Sequence, residues 1–107
     1  MTIYVDPLVA FGWRLRGKTI KNCHLFTDGP IDELHALATR IGMQRSWFQI
    51  SAGGVPHYDL AEGGRIAAIA EGAVEVDRHQ AVAIWREIKK RAIDELDIPA
   101  FLRRGND

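Results

Sequence analysis

CHLFTDGPIDELHALATRIG, residues 23–42, decides the class of fold. It opens on the apolar run Cys23 to Phe26 and breaks at Thr27-Asp28-Gly29-Pro30, a cluster of turn and helix-start residues. Ile31, Leu34, Leu37, Ala38 and Ile41 then recur at three- and four-residue spacing, which lines one face of a helix. Gly42 follows, free to take the left-handed conformation that ends a helix. A strand feeding directly into a helix is the repeating unit of α/β proteins.

The same alternation continues on both sides. Thr2 to Val5 is β-prone and stops at Asp6-Pro7, because proline cannot donate to a strand ladder. Leu8 to Asn22 has no clean period and carries Gly12 and Gly17, so it reads as a long irregular loop. Downstream, Trp47, Phe48 and Ile50 suggest a brief strand before the turn Ser51-Ala52-Gly53-Gly54. Gly63 and Gly64 precede a small helix marked by Ile66, Ile69 and Ala70 and closed by Gly72, and Ala73 to Val76 reads as a short strand. Asp77 with Gln80 resembles a capping box ahead of a long last helix, whose stripe is Ala81, Ile84, Trp85, Ile88, Ala92 and Leu96. The expected fold is α/β: a single layer of three or four strands, parallel or mixed, packed with three helices. Residues 1–98 are expected to form one domain and 99–107 a C-terminal tail.

A chain of 107 residues with 47% hydrophobic and 26% charged side chains has ordinary globular composition. Fourteen basic and fourteen acidic residues cancel, so the global charge does not favour nucleic acid or an anionic membrane as partner. Cys23 is the single cysteine, which excludes an internal disulfide and a thiolate metal cluster and suits a cytoplasmic address. No signal-peptide pattern opens the chain, and no apolar run approaches the roughly 20 residues of a membrane span. Dinucleotide, P-loop, serine-hydrolase and paired-cysteine motifs are all missing.

The chemistry-bearing residues are histidines and aspartates. Asp6, Asp28 and Asp59 each follow a β-prone or extended stretch, and ligands of open α/β sheets gather beyond the carboxyl ends of strands. Convergence of the three is therefore expected, although aspartate also serves well as a turn or N-cap residue. His24, His35 and His57 add imidazoles, and mixed nitrogen and oxygen ligands suit zinc, manganese, iron or nickel. His57-x-Asp59 is the best local pair, since alternate residues of an extended segment share a face. The expected division of labour places Asp6, His24 and Asp28 on a metal and His57, Asp59 and His35 in catalysis. Arg14, Arg16 and Lys18, in a stretch from Pro7 to Thr27 without an acidic residue, are candidates for phosphate contact. Trp47 and Tyr58 are candidates for stacking on a ring, against the commoner alternative of core packing.

Tyr4-Val5-Asp6, His24-Leu25, Asp28, Glu33-Leu34-His35-Ala36, Arg40-Ile41-Gly42, Trp47-Phe48-Gln49, His57-Tyr58-Asp59 and Gly72-Ala73, in this order, resemble the bacterial and phage family called domain of unknown function 4031. The likeness spans about residues 3 to 76. It implies no activity. The chain departs from the family's usual pattern at Cys23, where a tryptophan is common, at Thr27-Asp28-Gly29 in place of Ala-Asp-Ser/Thr, and at Gly64-Arg65 in place of Lys-Arg. The histidines and aspartates are all retained.

Two functions fit these residues. The first is a metal-assisted hydrolase acting on a phosphate ester or a nucleotide at a His/Asp cleft. The second is a non-catalytic protein that binds or sequesters a nucleotide or another phosphorylated small molecule. Each expects a small phosphorylated ligand; nucleic acid is a less favoured partner.

Overall fold

The computed structural model describes residues 2–95, with the side chains of residues 11–13, 15 and 92–95 left aside. The expected tail, residues 99–107, lies outside the described residues. The fold is α/β. Six strands form one mixed sheet in the order β4-β5-β3-β1-β6, with β2 paired to β3 beside that path. The strands are β1 (Ile3–Val5), β2 (Val9–Leu15), β3 (Lys18–Thr27), β4 (Gln49–Ile50), β5 (Pro56–Ala61) and β6 (Val74–Glu75). The helices are α1 (Ile31–Arg40), α2 (Glu62–Ala70) and α3 (Arg78–Glu95). None of the described helices is long and apolar enough to cross a membrane.

The sheet is larger than its sequence suggests: the two added strands are β5, whose residues carry no clear strand signal of their own, and β2. The stretch expected to be an irregular loop forms a hairpin with β3, pairing Leu15 with Lys18 and Val9 with Asn22 around a register shift between Ala10 and Arg14. Arg16 (φ 51°) and Gly17 (φ 80°) form its two-residue turn, and positive φ at both is the signature of a type I′ hairpin. β3 is therefore ten residues long. Its first half pairs with β2 and its second half with β1 along one edge, while β5 pairs along the other.

Strand alternation gives the sheet two unlike faces. Val5, Cys23, Leu25, Tyr58 and Leu60 project to one side, where Leu34, Leu37 and Ala38 of α1 and Ala68 of α2 complete the main core. Tyr4 and Phe26 project to the other, where Ala81, Ile84, Trp85 and Ile88 of α3 cover them. Phe26 is fully buried, which stabilises the fold by roughly 2–3 kcal/mol. The start of α3 is held by the expected capping box: the Gln80 N–H donates to Asp77 Oδ1 at 2.8 Å, and the Asp77 N–H donates to Gln80 Oε1 at 2.8 Å. Gly63 and Gly64, expected ahead of α2, lie within its first turn.

Candidate functional site

The α3-covered face continues past Phe26 into a polar row. β1 and β5 both run antiparallel to β3, and the register sets Asp59 of β5 opposite His24. Asp6, one residue beyond β1, lies on the other side of the same histidine: its Oδ1 accepts the His24 backbone N–H at 2.6 Å and its Oδ2 faces His24 Nδ1 at 2.7 Å. His57, two residues before Asp59 on β5, shares that face, and its ring meets His24 edge-on with centroids 5.2 Å apart. His57 Nε2 lies 3.4 Å from Asp59 Oδ1, and His24 Nε2 lies 4.0 Å from the same oxygen. One ligand atom from each of His24, His57 and Asp59 can be chosen so that all lie within 4.8 Å of one another.

The surroundings fix how these groups present themselves. His57 Nδ1 lies 2.9 Å from the Val55 carbonyl oxygen. A carbonyl only accepts, so Nδ1 carries a proton, and whenever the ring is neutral its Nε2 turns a lone pair toward Asp59. An ionised Asp6 carboxylate also only accepts, so His24 Nδ1 donates to it, and Nε2 of a neutral ring holds the lone pair. Gln49 Nε2 donates to Asp59 Oδ2 at 3.0 Å and leaves Oδ1 turned to the histidines. The hydrogen bond to Asp6 raises His24 above the ordinary imidazole value; burial opposes this, and the charges of Asp6 and Asp59 add to it. Asp6 is itself buried, and its backbone carbonyl accepts Arg65 Nε at 2.9 Å.

Two imidazoles and one carboxylate, each imidazole anchored through Nδ1 by an outer hydrogen bond, form the donor set of many catalytic metal sites. Without a cation or an added proton, two lone pairs and a carboxylate oxygen would face one another across a partly buried cleft. The residues present therefore fit a divalent ion, with Asp6, the Val55 carbonyl and Gln49 as its outer shell.

Beside the cluster is a cavity of about 180 Å³ lined by His24, His57, Ser51, Gly53, Val55, Trp85 and Lys89. Trp85 packs edge-on against His24 with centroids 5.6 Å apart. It is partly buried, forming the wall of this cavity as well as packing on Phe26. Lys89 stands one helical turn further along α3 and brings an ammonium to the opening. A Cβ at Gly53 would come within 2.7 Å of Lys89 Nζ, so a side chain there would displace it. Sequence reasoning missed Lys89, Gln49 and Ser51. The i, i+4 spacing of Trp85 and Lys89 was available as a signal, but nothing in the sequence says that α3 lies over β1 and β3.

Several expected site residues are placed elsewhere. Asp28 does not join Asp6 and Asp59, because β1 and β3 are antiparallel neighbours whose carboxyl ends point to opposite ends of the strands. It is four residues along β3 from His24, roughly 13 Å at strand rise. There it accepts the Thr2 N–H and the Tyr4 hydroxyl, each at 2.7 Å, and fastens the start of β1. Burial alone would push its carboxyl up, but the bonds from Thr2 and Tyr4 outweigh it and hold the group below the usual value. His35 lies across the sheet from the cluster, with Nδ1 2.7 Å from the Tyr58 hydroxyl and its ring edge-on to Phe48. Tyr58 is 1% exposed in the main core, which leaves no face of its ring for a ligand to stack on. Arg14, Arg16 and Lys18 sit at the exposed β2–β3 turn, where Arg14 Nη2 donates to the Gly17 carbonyl at 3.1 Å. Thr19, the partner of Arg14, is five residues from His24, roughly 17 Å away. Trp47 remains near the cluster, lining with Asp59 a second cavity.

Fold and site together define a small α/β protein with a His₂-Asp cluster at the uncovered end of one sheet face. The chain belongs to the family described as Protein of unknown function (DUF4031), whose model matches residues 3–88. No curated protein and no solved structure matches it.

Proposed function

We propose that the chain is a metal-assisted hydrolase acting on a phosphate ester or a nucleotide, with a divalent ion held by His24, His57 and Asp59. One observation carries the reading: three donor atoms lie within 4.8 Å of one another, while both Nδ1 atoms are engaged by outer-shell acceptors. Three protein ligands leave coordination positions open, the arrangement of catalytic rather than purely structural ions. Zinc, manganese, iron and nickel all accept this donor set. When bound, such an ion lowers the pKa of a coordinated water to about 7 and polarises a phosphoryl oxygen.

The chain's own groups support the rest. Asp6 orients His24, the Val55 carbonyl orients His57, and Gln49 orients Asp59. Lys89, at the mouth of the adjoining cavity, is placed to pair with a phosphate oxygen and offset its charge. Trp85 and Val55 wall the cavity with apolar surface, which strengthens electrostatic contacts inside it.

The test is metal analysis of untagged protein, followed by titration with zinc and manganese and an assay against p-nitrophenyl phosphate and a nucleotide panel. Stoichiometric uptake is expected, lost in His57→Ala and Asp59→Ala. Asp6→Asn should weaken it by about 10- to 100-fold, the usual effect of an outer-shell change. Uptake no greater in the wild type than in the double variant would overturn the metal reading. Ligand binding without turnover would replace the hydrolase with the sequestering protein.

A further inference from the structure

The turn end of the β2–β3 hairpin extends past the rest of the sheet as a two-stranded ribbon, and we infer that this ribbon is an arm that binds duplex DNA through its phosphates. The arm goes beyond the hydrolase reading, since it needs neither a metal nor the His₂-Asp cluster. The experiment below is run without metal, so the two can fail separately.

Charge segregation carries the argument. The stretch from Pro7 to Thr27 holds four of the fourteen lysines and arginines and none of the fourteen acidic residues, leaving ten cations against fourteen anions, a formal net charge of −4, in the remainder. The balanced total hides a cationic arm on an anionic body. Such a molecule approaches a polyanion arm first. Arg14, Arg16, Lys18 and Lys21 are all exposed. Among the described residues none of the four is in an ion pair, and their one side-chain hydrogen bond is that from Arg14 to the Gly17 carbonyl. Four cations without counter-charges are thus held together on one element.

The geometry of the ribbon selects the polyanion. β3 meets β5 from Asn22 onward and β1 from Leu25 onward, so among the described residues no third strand flanks the ribbon between residues 14 and 21. From Asn22 to Lys18 it reaches roughly 14 Å, about four base-pair rises of DNA. Strand alternation puts Lys18 on the sheet face of His24 and Lys21 on the opposite face, which Arg14 shares through its pairing with Thr19. Arg16 is at the tip. A flat anionic membrane meets only one face of such a ribbon. The major groove of B-DNA has a phosphate backbone on each side and, at about 12 Å wide, admits a two-stranded ribbon, so cations on both faces find partners there. The major groove of an RNA duplex is too deep and narrow to do the same. Lysine and arginine on phosphates hold the duplex without reading its sequence.

The experiment is fluorescence anisotropy of a labelled, mixed-sequence DNA duplex of about 20 base pairs, titrated with EDTA-treated protein at salt concentrations from about 50 to 200 mM. Binding is expected with a dissociation constant of roughly 1–100 μM, and the logarithm of the binding constant should fall against that of salt with a slope of about −3 to −4, one counterion for each cation of the arm. Arg16→Asn should weaken binding about tenfold at the lowest salt and flatten the slope by about one; Lys18→Gln with Lys21→Gln should flatten it by about two. Asparagine suits the left-handed turn position better than arginine, so binding lost in Arg16→Asn is loss of charge and not of the hairpin. Arg86→Gln with Lys90→Gln, an equal loss of charge on the exposed side of α3, should bind as the wild type does. The inference is overturned if the duplex is not bound at the lowest salt, if either arm variant binds as the wild type does, or if the α3 variant is weakened as much as the arm variants. It is also overturned if an RNA duplex or phosphatidylserine vesicles are bound as tightly as DNA.

Discussion

Cys23 and His24 are chain neighbours on opposite faces of the sheet, and their chemistry diverges accordingly. Burial, reinforced by the charge of Asp6, pushes the Cys23 thiol up to about 12. At pH 8 only about one molecule in ten thousand would carry the thiolate. Native protein should thus resist a disulfide reagent such as DTNB and react once unfolded in guanidinium; rapid stoichiometric labelling in native buffer would contradict this placement. His35 gives a pH-dependent counterpart. Burial, then the charge of Arg45, lowers its pKa from the ordinary value. The folded state therefore favours the neutral ring, and as pH falls below about 6.5 the unfolded chain takes up the proton first and stability drops. His35→Gln should lose less melting temperature between pH 7.5 and pH 5.5 than wild type; equal losses would show that His35 contributes nothing. His24 has the opposite sign in both proteins, so the comparison isolates His35. The His57-Asp59 pair was legible in the sequence because period-two alternation needs no knowledge of neighbouring strands. The wrong grouping of Asp28 with Asp6 has an equally physical cause: no residue states whether two strands run parallel.

The β2–β3 hairpin shows why an element can hide. Its type I′ turn accepts Asn-Gly or Asp-Gly most readily, whereas this chain has Arg16-Gly17, with a long side chain held at φ 51°. The bulge between Ala10 and Arg14 also interrupts alternation, so neither turn residues nor period announced a strand. Arg16→Asn should relieve the left-handed penalty and stabilise the protein by roughly 0.5–1 kcal/mol in urea unfolding. A destabilisation would mean that the arginine makes a compensating contact. The start of α3 is the contrasting case, announced by Asp77 and Gln80 because a cap is local in sequence. Asp77→Ala should cost about 1 kcal/mol, read in the same urea experiment, and an unchanged midpoint would deny the cap its role.

At the scale of the molecule, α1 and α2 close one sheet face, whereas α3 leaves part of the other face to the cluster and its two cavities. An ion bound there, as proposed, would be linked to folding. Zinc or manganese at a hundred times its dissociation constant should raise the unfolding free energy by about 2.7 kcal/mol, less whatever the unfolded chain binds. Denaturant melts should show the gain in wild type and not in Asp59→Ala; an equal gain in both would place the ion elsewhere. The row Asp6, His24, Asp59 also draws its members from three adjacent strand paths, in one register. Slipping β5 by one residue against β3 would bring Tyr58 or Leu60 opposite His24 and turn Asp59 and His57 toward the helices α1 and α2. An ion that needs His24, His57 and Asp59 together would then have affinity for one alignment of the chain and none for its misaligned neighbours. During folding it would act as a proofreader of strand pairing, rewarding the correct alignment only after residues 24 and 59 have met.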